Sequence, residues 1–153
     1  MKARFRLFLL GCTATLAFEV LAVGSDSAPQ DPVIQQYNEA SAAKNWTRAA
    51  SVLREAVQAN PRNAEYHNLY AYSLRHTVSP DMGLVFKHYD EALRIDPRHR
   101  GAREYLGEAY LSVGDVARAK EQLAELDRMC FIGCSERDDL RKAIAAFEAK
   151  QKH

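Results

Sequence analysis

The sequence predicts an all-α protein of stacked helical hairpins, and three observations carry the prediction. From Asp31 onward apolar residues recur at helical spacing. The chain matches itself at offsets of 34 and 36 residues. Pro and Gly are scarce and stand where helices would start or stop, as in Asp31-Pro32, Ser79-Pro80 and Gly114-Asp115. With 27% charged and 47% hydrophobic residues in 153, the composition is that of one globular domain with a core. The near balance of 21 basic and 20 acidic residues lacks the clustered Lys and Arg of a nucleic-acid surface.

Residues 1–24 are read apart from the fold. "MKARFR" is a basic start, "LFLLGCTATLAF" a 12-residue apolar run, and "EVLAVGSDSAP" a stretch rich in small residues. Together they have the form of a Sec-type signal peptide, too short to span a membrane, with cleavage expected after Ala22 or Gly24. "LLGC" at 9–12 also resembles a lipobox with Cys12 lipidated, but that leaves only Leu7–Leu10 as the apolar core before the cut. Ordinary cleavage is preferred, with no membrane insertion afterwards. Losing Lys2, Arg4, Arg6 and Glu19 leaves 18 basic against 19 acidic residues and two cysteines. Residues 25–30 then form a short linker to a domain over 31–150.

The helices follow in order. The first is expected over 31–43, with Asp31 as N-cap and Pro32 at the first helical position. The second, over 46–59, stops short of Pro61; the third covers 63–77. The fourth, over 80–95, takes Ser79 as its cap. The fifth spans 99–113 and ends at Gly114, and Asp115 caps the sixth, over 115–129. A seventh, over 136–150, follows Ser135-x-x-Asp138, which resembles a capping box with Asp in place of Glu. Leu140, Ile144 and Phe147 give it one apolar stripe, and Arg137, Arg141 and Lys142 keep its other face soluble.

Self-similarity groups six of these helices into three units, about 30–63, 64–99 and 100–130. "NWTRAASVLREAVQANP" overlays "DMGLVFKHYDEALRIDP", so that Ala49, Leu53, Ala56 and Pro61 fall on Val85, Tyr89, Ala92 and Pro97. Val85 and Tyr89 recur as Ala119 and Leu123, and Ala71 and Leu74 as Gly107 and Tyr110. The two different offsets place a two-residue insertion inside the middle unit, in "HTVSPDMG". A period near 34 with a small residue, three spacers and a large apolar residue in each second helix resembles the tetratricopeptide repeat (TPR) family. The third unit carries it best, through Leu106, Gly107, Tyr110, Gly114, Ala119 and Leu123, although Arg103 stands where an aromatic is usual. The resemblance implies an α-solenoid of three helix-turn-helix units closed by a capping helix at 136–150. Gly107 and the alanines at 49, 56, 71, 92 and 119 are then expected where paired helices approach closely.

Cys130 and Cys134, in "CFIGC", have three readings. Export favours an intramolecular disulfide that clasps the exit from the third unit. A thiol redox pair and a metal pair are the alternatives, although C-x3-C is not the C-x-x-C of thioredoxin-like proteins, and His67, His76, His88, His99 and His153 offer no paired ligand spacing. No phosphate loop, H-E-x-x-H or nucleophile elbow is present, so no enzyme activity, cofactor or metal is expected.

The family resemblance also implies a concave face lined by the first helix of each unit. Carried over position by position, it points to Asn38, Asn68, Tyr72, Arg75, His76, Glu104, Glu108 and Leu111 as partner-binding residues. Tyr72 and Arg75 are the side-chain types that dominate binding hot spots. Glu104 and Glu108 stand where TPR domains that clamp a C-terminal carboxylate carry basic residues, which favours a basic or mixed ligand. "YSLRHT", "HRGAREYLGEAYL" and the terminal C-x3-C further resemble short exported bacterial TPR proteins. The functional expectation is an exported scaffold that binds a protein or peptide through its concave face, with bacterial envelope assembly as its setting; a thiol redox or metal-handling protein using Cys130 and Cys134 is the alternative.

Overall fold

The computed structural model describes residues 31–151. The expected leader over 1–24, the linker over 25–30 and Cys12 lie outside the described residues. Those described form seven helices and no strand: α1 (Pro32–Ala42), α2 (Trp46–Ala59), α3 (Ala64–Arg75), α4 (Met82–Ile95), α5 (Arg100–Ser112), α6 (Val116–Met129) and α7 (Ser135–Gln151). Consecutive helices pack together, and α3 also meets α5, so the first helices of successive units share one face. This is the layering of a TPR-like α-solenoid.

Short-range chemistry starts each helix. Asn45, Asn63, Asp81, His99 and Asp115 each accept a hydrogen bond from the backbone N–H three residues ahead, the N-cap arrangement. Asp31 caps α1 through the Val33 N–H, with Pro32 in the first turn, as expected. Gly114 takes a left-handed φ of 81°, and Lys44 fills the equivalent place in the first unit at φ 53°. The backbone bonds of the two turns match: Asn45 N–H donates to Ala40 and Asp115 N–H to Tyr110.

Two expected caps are corrected. Ser79-Pro80 does not open α4; the carboxylate of Asp81 receives the Leu84 N–H at 3.1 Å instead. Ser79 stands too far upstream to reach those donors, because residues 76–81 form a longer turn where 43–45 and 113–115 suffice in the other units. Nor does Ser135 form a capping box with Asp138. Ser135 is itself the first helical residue, its hydroxyl donates to Glu136, and the Asp138 N–H donates to the Cys134 carbonyl.

The aromatic missing from the third unit has a polar replacement. Arg103 donates to the Pro97 carbonyl at 2.8 Å, and His67, its counterpart one unit earlier, does the same to Pro61 at 3.1 Å. A carbonyl only accepts, so His67 Nε2 carries the proton there. Its Nδ1 lies 2.9 Å from His88 Nδ1, so one ring nitrogen donates to the other, in a direction set by the tautomers. The stacked pair ties α3 to α4.

The interior divides into three layers of contact. Tyr37, Ala49, Leu53, Ala56 and Tyr70 fill the first unit, and Ala71, Val85, Tyr89, Leu106 and Ala109 the middle. At the C-terminal end Leu126, Leu140 and Ile144 are buried with Ala119, while Leu123 is only partly covered. The alanines at 49, 71, 92 and 119 are fully buried, so their small size is used. Gly107 is small for a different reason than its pairing with α6. A Cβ there would lie 2.6 and 2.7 Å from the two methyl carbons of Leu140, so it is α7 that sits directly on this glycine.

Two outcomes follow from these contacts. Gly107→Leu is expected to lift α7 from α5, lowering stability by about 1–3 kcal/mol and accelerating hydrogen exchange over 135–151 before α1–α4; unchanged melting and protection would contradict the seating. Burial and the neighbouring His67 push His88 down to about 4, with Lys87 adding to the shift and Glu91 opposing it. The unfolded chain, whose histidines titrate near about 6.5, then binds more protons below that pH. Stability contributed by neutral His88 is therefore expected to fall between pH ~6.5 and about 4 and to level off below. Urea denaturation across that window checks it, and His88→Phe should flatten the slope.

Candidate binding groove

The first helices and α7 enclose a groove on the shared face. Tyr72 is its centre, because rings from all three units meet there. Its centroid lies 4.2 Å from His76 and 4.6 Å from Tyr105, and Trp46 lies 4.7 Å from His76. His76 is fixed by donating its Nδ1–H to the Tyr72 carbonyl at 2.8 Å. The Arg75 guanidinium lies 5.5 Å from the Tyr72 ring centre, within cation–π reach. Tyr72 and Arg75, the two residues the sequence singles out, are therefore neighbours.

Arg75 is also committed to a neighbour. It pairs with Glu108 at 2.7 Å and lies beside the Tyr89 hydroxyl, whose ionisation burial suppresses. This pair ties the second unit to the third within a largely dry environment. Of the other candidates, Asn38 is exposed on α1, whereas Asn68 and Leu111 are buried in the groove wall. Leu111, Glu108 and Arg75 line one cavity of ≈ 500 Å³ together with Ala143, Phe147 and Lys150 of α7.

A second cavity, ≈ 440 Å³, opens between α3, α5 and α7 and is predominantly acidic. Glu65 and Asn68 come from α3, Glu104 and Tyr105 from α5, and Glu136 and Asp139 from α7. His99 donates from Nε2 to Glu65 at 2.8 Å while its Nδ1 accepts the Ala102 N–H as the α5 cap. These two bonds oppose each other on protonation. Glu65 raises the His99 pKa, whereas the cap requires Nδ1 to stay bare. Glu136 pairs with Arg100 at 3.5 Å and Asp139 with Lys142 at 3.0 Å.

Glu104 differs from these carboxylates. It forms no hydrogen bond or ion pair with another described residue. Burial, followed by the like charges of Glu108, Asp139 and Glu136, pushes its carboxyl up to about 7, and Arg75 only partly offsets them. Nearby, the buried Asn68 Oδ1 accepts no hydrogen bond, although Asn68 Nδ2 donates to Glu65 at 3.3 Å. Two acceptors thus stand in the same cleft without donors.

Cys130 and Cys134 stand at the α6–α7 turn, next to the Ser135 and Glu136 end of the acidic cavity, joined in a disulfide with Cα atoms 5.6 Å apart. Both are about 6% exposed, while Phe131 and Ile132 between them project fully into solvent. Arg137 of α7 donates to the Cys130 carbonyl at 3.3 Å, adding a second tie between the turn and the last helix.

Several groove residues were missed in the sequence: Trp46, Glu65, His99, Tyr105, Glu136 and Asp139. For the last two a signal existed. Glu136, Asp139, Ala143, Ala146 and Lys150 recur at i, i+3, i+7, i+10 and i+14, which is one helix face, and all five line the two cavities. Among the described residues no helix is long and apolar enough to cross a membrane.

No protein-family profile matches the chain. A curated protein, inactive TPR repeat-containing thioredoxin TTL3 of Arabidopsis thaliana, is 30% identical over 99 residues. That match covers 64% of this chain and 13% of the plant protein, so the chain spans only a small part of the curated relative's length. Helical layering and this similarity agree on a TPR-like fold.

Proposed function

We propose that this protein is a non-catalytic interaction module that holds a partner polypeptide in the groove formed by α1, α3, α5 and α7. The observation that carries the reading is the row of rings from Trp46 through His76 and Tyr72 to Tyr105, flanked by two cavities. Aromatic side chains give large contact area at low conformational cost, and a groove with polar groups on its walls orients a bound segment. The repeat-containing relative supports a binding role of this general kind.

Export to the bacterial envelope, and work in its assembly, belong to the same proposal. Their supports are the leader-like residues 1–24, the resemblance to short exported TPR proteins and the Cys130–Cys134 bond, which suits an oxidising compartment. Reactive thiols are usually accessible, whereas these two sulfur-bearing residues are buried, which favours a clasp over a redox pair.

Site-specific photo-crosslinking in a bacterial periplasm tests the groove. A photoreactive residue replacing Tyr72 is expected to give discrete adducts, and one replacing Glu121, exposed on α6 outside both cavities, is not. Equal labelling from both positions would overturn the reading.

A further inference from the structure

We infer that the acidic cleft between α3, α5 and α7 receives a cationic side chain, lysine or arginine, from the polypeptide bound in the groove. This rests on the interaction-module reading and assigns one subsite within it.

The local hydrogen-bond inventory leaves a space for a donor. Glu65 already receives His99 and Asn68, Glu136 is paired with Arg100, and Asp139 with Lys142. Glu108 is taken by Arg75. Glu104 has no such partner among the described residues, and the carbonyl Oδ1 of Asn68, a residue only 2% exposed, has no donor either. Buried acceptors in folded proteins are ordinarily satisfied, so the Asn68 Oδ1 without a donor, in the same cleft as the partly buried and unpaired Glu104 carboxylate, marks a place for an incoming donor.

Shape and charge select the kind of donor. An ammonium or guanidinium supplies several N–H groups with a positive charge, matching the bare carboxylate and the neutral carbonyl together. Leu69 and Tyr105 add apolar wall for the methylene stem of a long side chain. An acidic ligand would meet the like charges that already oppose ionisation of Glu104. Among the described residues no group of three or more His, Cys, Asp or Glu side chains is arranged to hold a metal ion, which favours an organic cation over a bare divalent one.

The test is a nitrogen-15 NMR titration of the disulfide-bonded protein at pH 8, where Glu104 is ionised. The probes are acetylated and amidated pentapeptides of sequence Gly-Gly-X-Gly-Gly with X as Arg, Lys or Gln, and CaCl2 alone. Saturable shifts at Gly101, Glu104, Tyr105 and Asp139 are expected with the Arg and Lys peptides and not with the Gln peptide. Glu104→Gln should weaken their binding by about tenfold or more while raising the melting midpoint, since it removes a partly buried charge set among like charges. Equal shifts with the Gln peptide, unaltered binding by Glu104→Gln, binding lost together with a lower midpoint, or a saturable response to CaCl2 alone would each overturn the assignment. Crosslinks from Tyr72 without binding of these peptides would leave the interaction module standing and remove the cationic subsite.

Discussion

The absence of a side chain at Gly107 is the constraint on which the C-terminal half of the molecule depends. Leu140 occupies the space where a Cβ would be, and that contact seats α7 across α5. Once α7 is seated, Leu140 and Ile144 are buried and the apolar end of the third unit is covered. The same placement carries Glu136 and Asp139 to the side of Glu104 and Asn68. One close approach therefore completes the core and builds the acidic cleft, so stability and recognition share a single structural cause.

Elsewhere the fold is assembled from agreeing local choices. Caps at Asn45, Asn63, Asp81, His99 and Asp115 start the helices, and His67 and Arg103 repeat one bond to the prolines that separate units. Natural sequences tend to be consistent across such levels, with departures concentrated at functional sites. The cleft is such a departure. It gathers carboxylates around Glu104 and leaves Asn68 Oδ1 without a donor, arrangements that cost stability in the free protein. A bound cation would offset both costs at once, giving the partner, rather than the fold, the role of satisfying them.

How much of this was legible in the sequence depended on the range of the interactions involved. Helical period, the small residues at 49, 71 and 119, and the caps at Asp31 and Asp115 are local or periodic, and all were readable. Ser79 and Asp81 are both capping residues, and only the true path of the longer 76–81 turn distinguishes them. The tie between Arg75 and Glu108 joins side chains 33 residues apart, and no single-helix pattern reports it. Glu136 and Asp139 belong to a helix outside the repeat, so the family pattern had no positions to lend them. The match of Gly107 to the repeat was clear, yet its partner was not, since the repeat specifies a small residue without saying what approaches it.

The disulfide at Cys130–Cys134 complements the seating of α7. It closes the short turn through which the chain leaves the third unit, and Arg137 holds the same turn through the Cys130 carbonyl. Constraint at the turn before α7 and close packing of Leu140 on Gly107 thus both act on the N-terminal part of one helix to fix the groove wall. The most direct test of this account is a carbon-13 NMR titration of the Glu104 side-chain carboxyl in the oxidised protein. Burial of the carboxyl in the cleft, with the like charges of Glu108 and of Asp139 and Glu136 on α7, predicts a midpoint of about 7. A midpoint near the ordinary 4.5 would show that Glu104 is not covered in the cleft among these carboxylates, and would contradict the account.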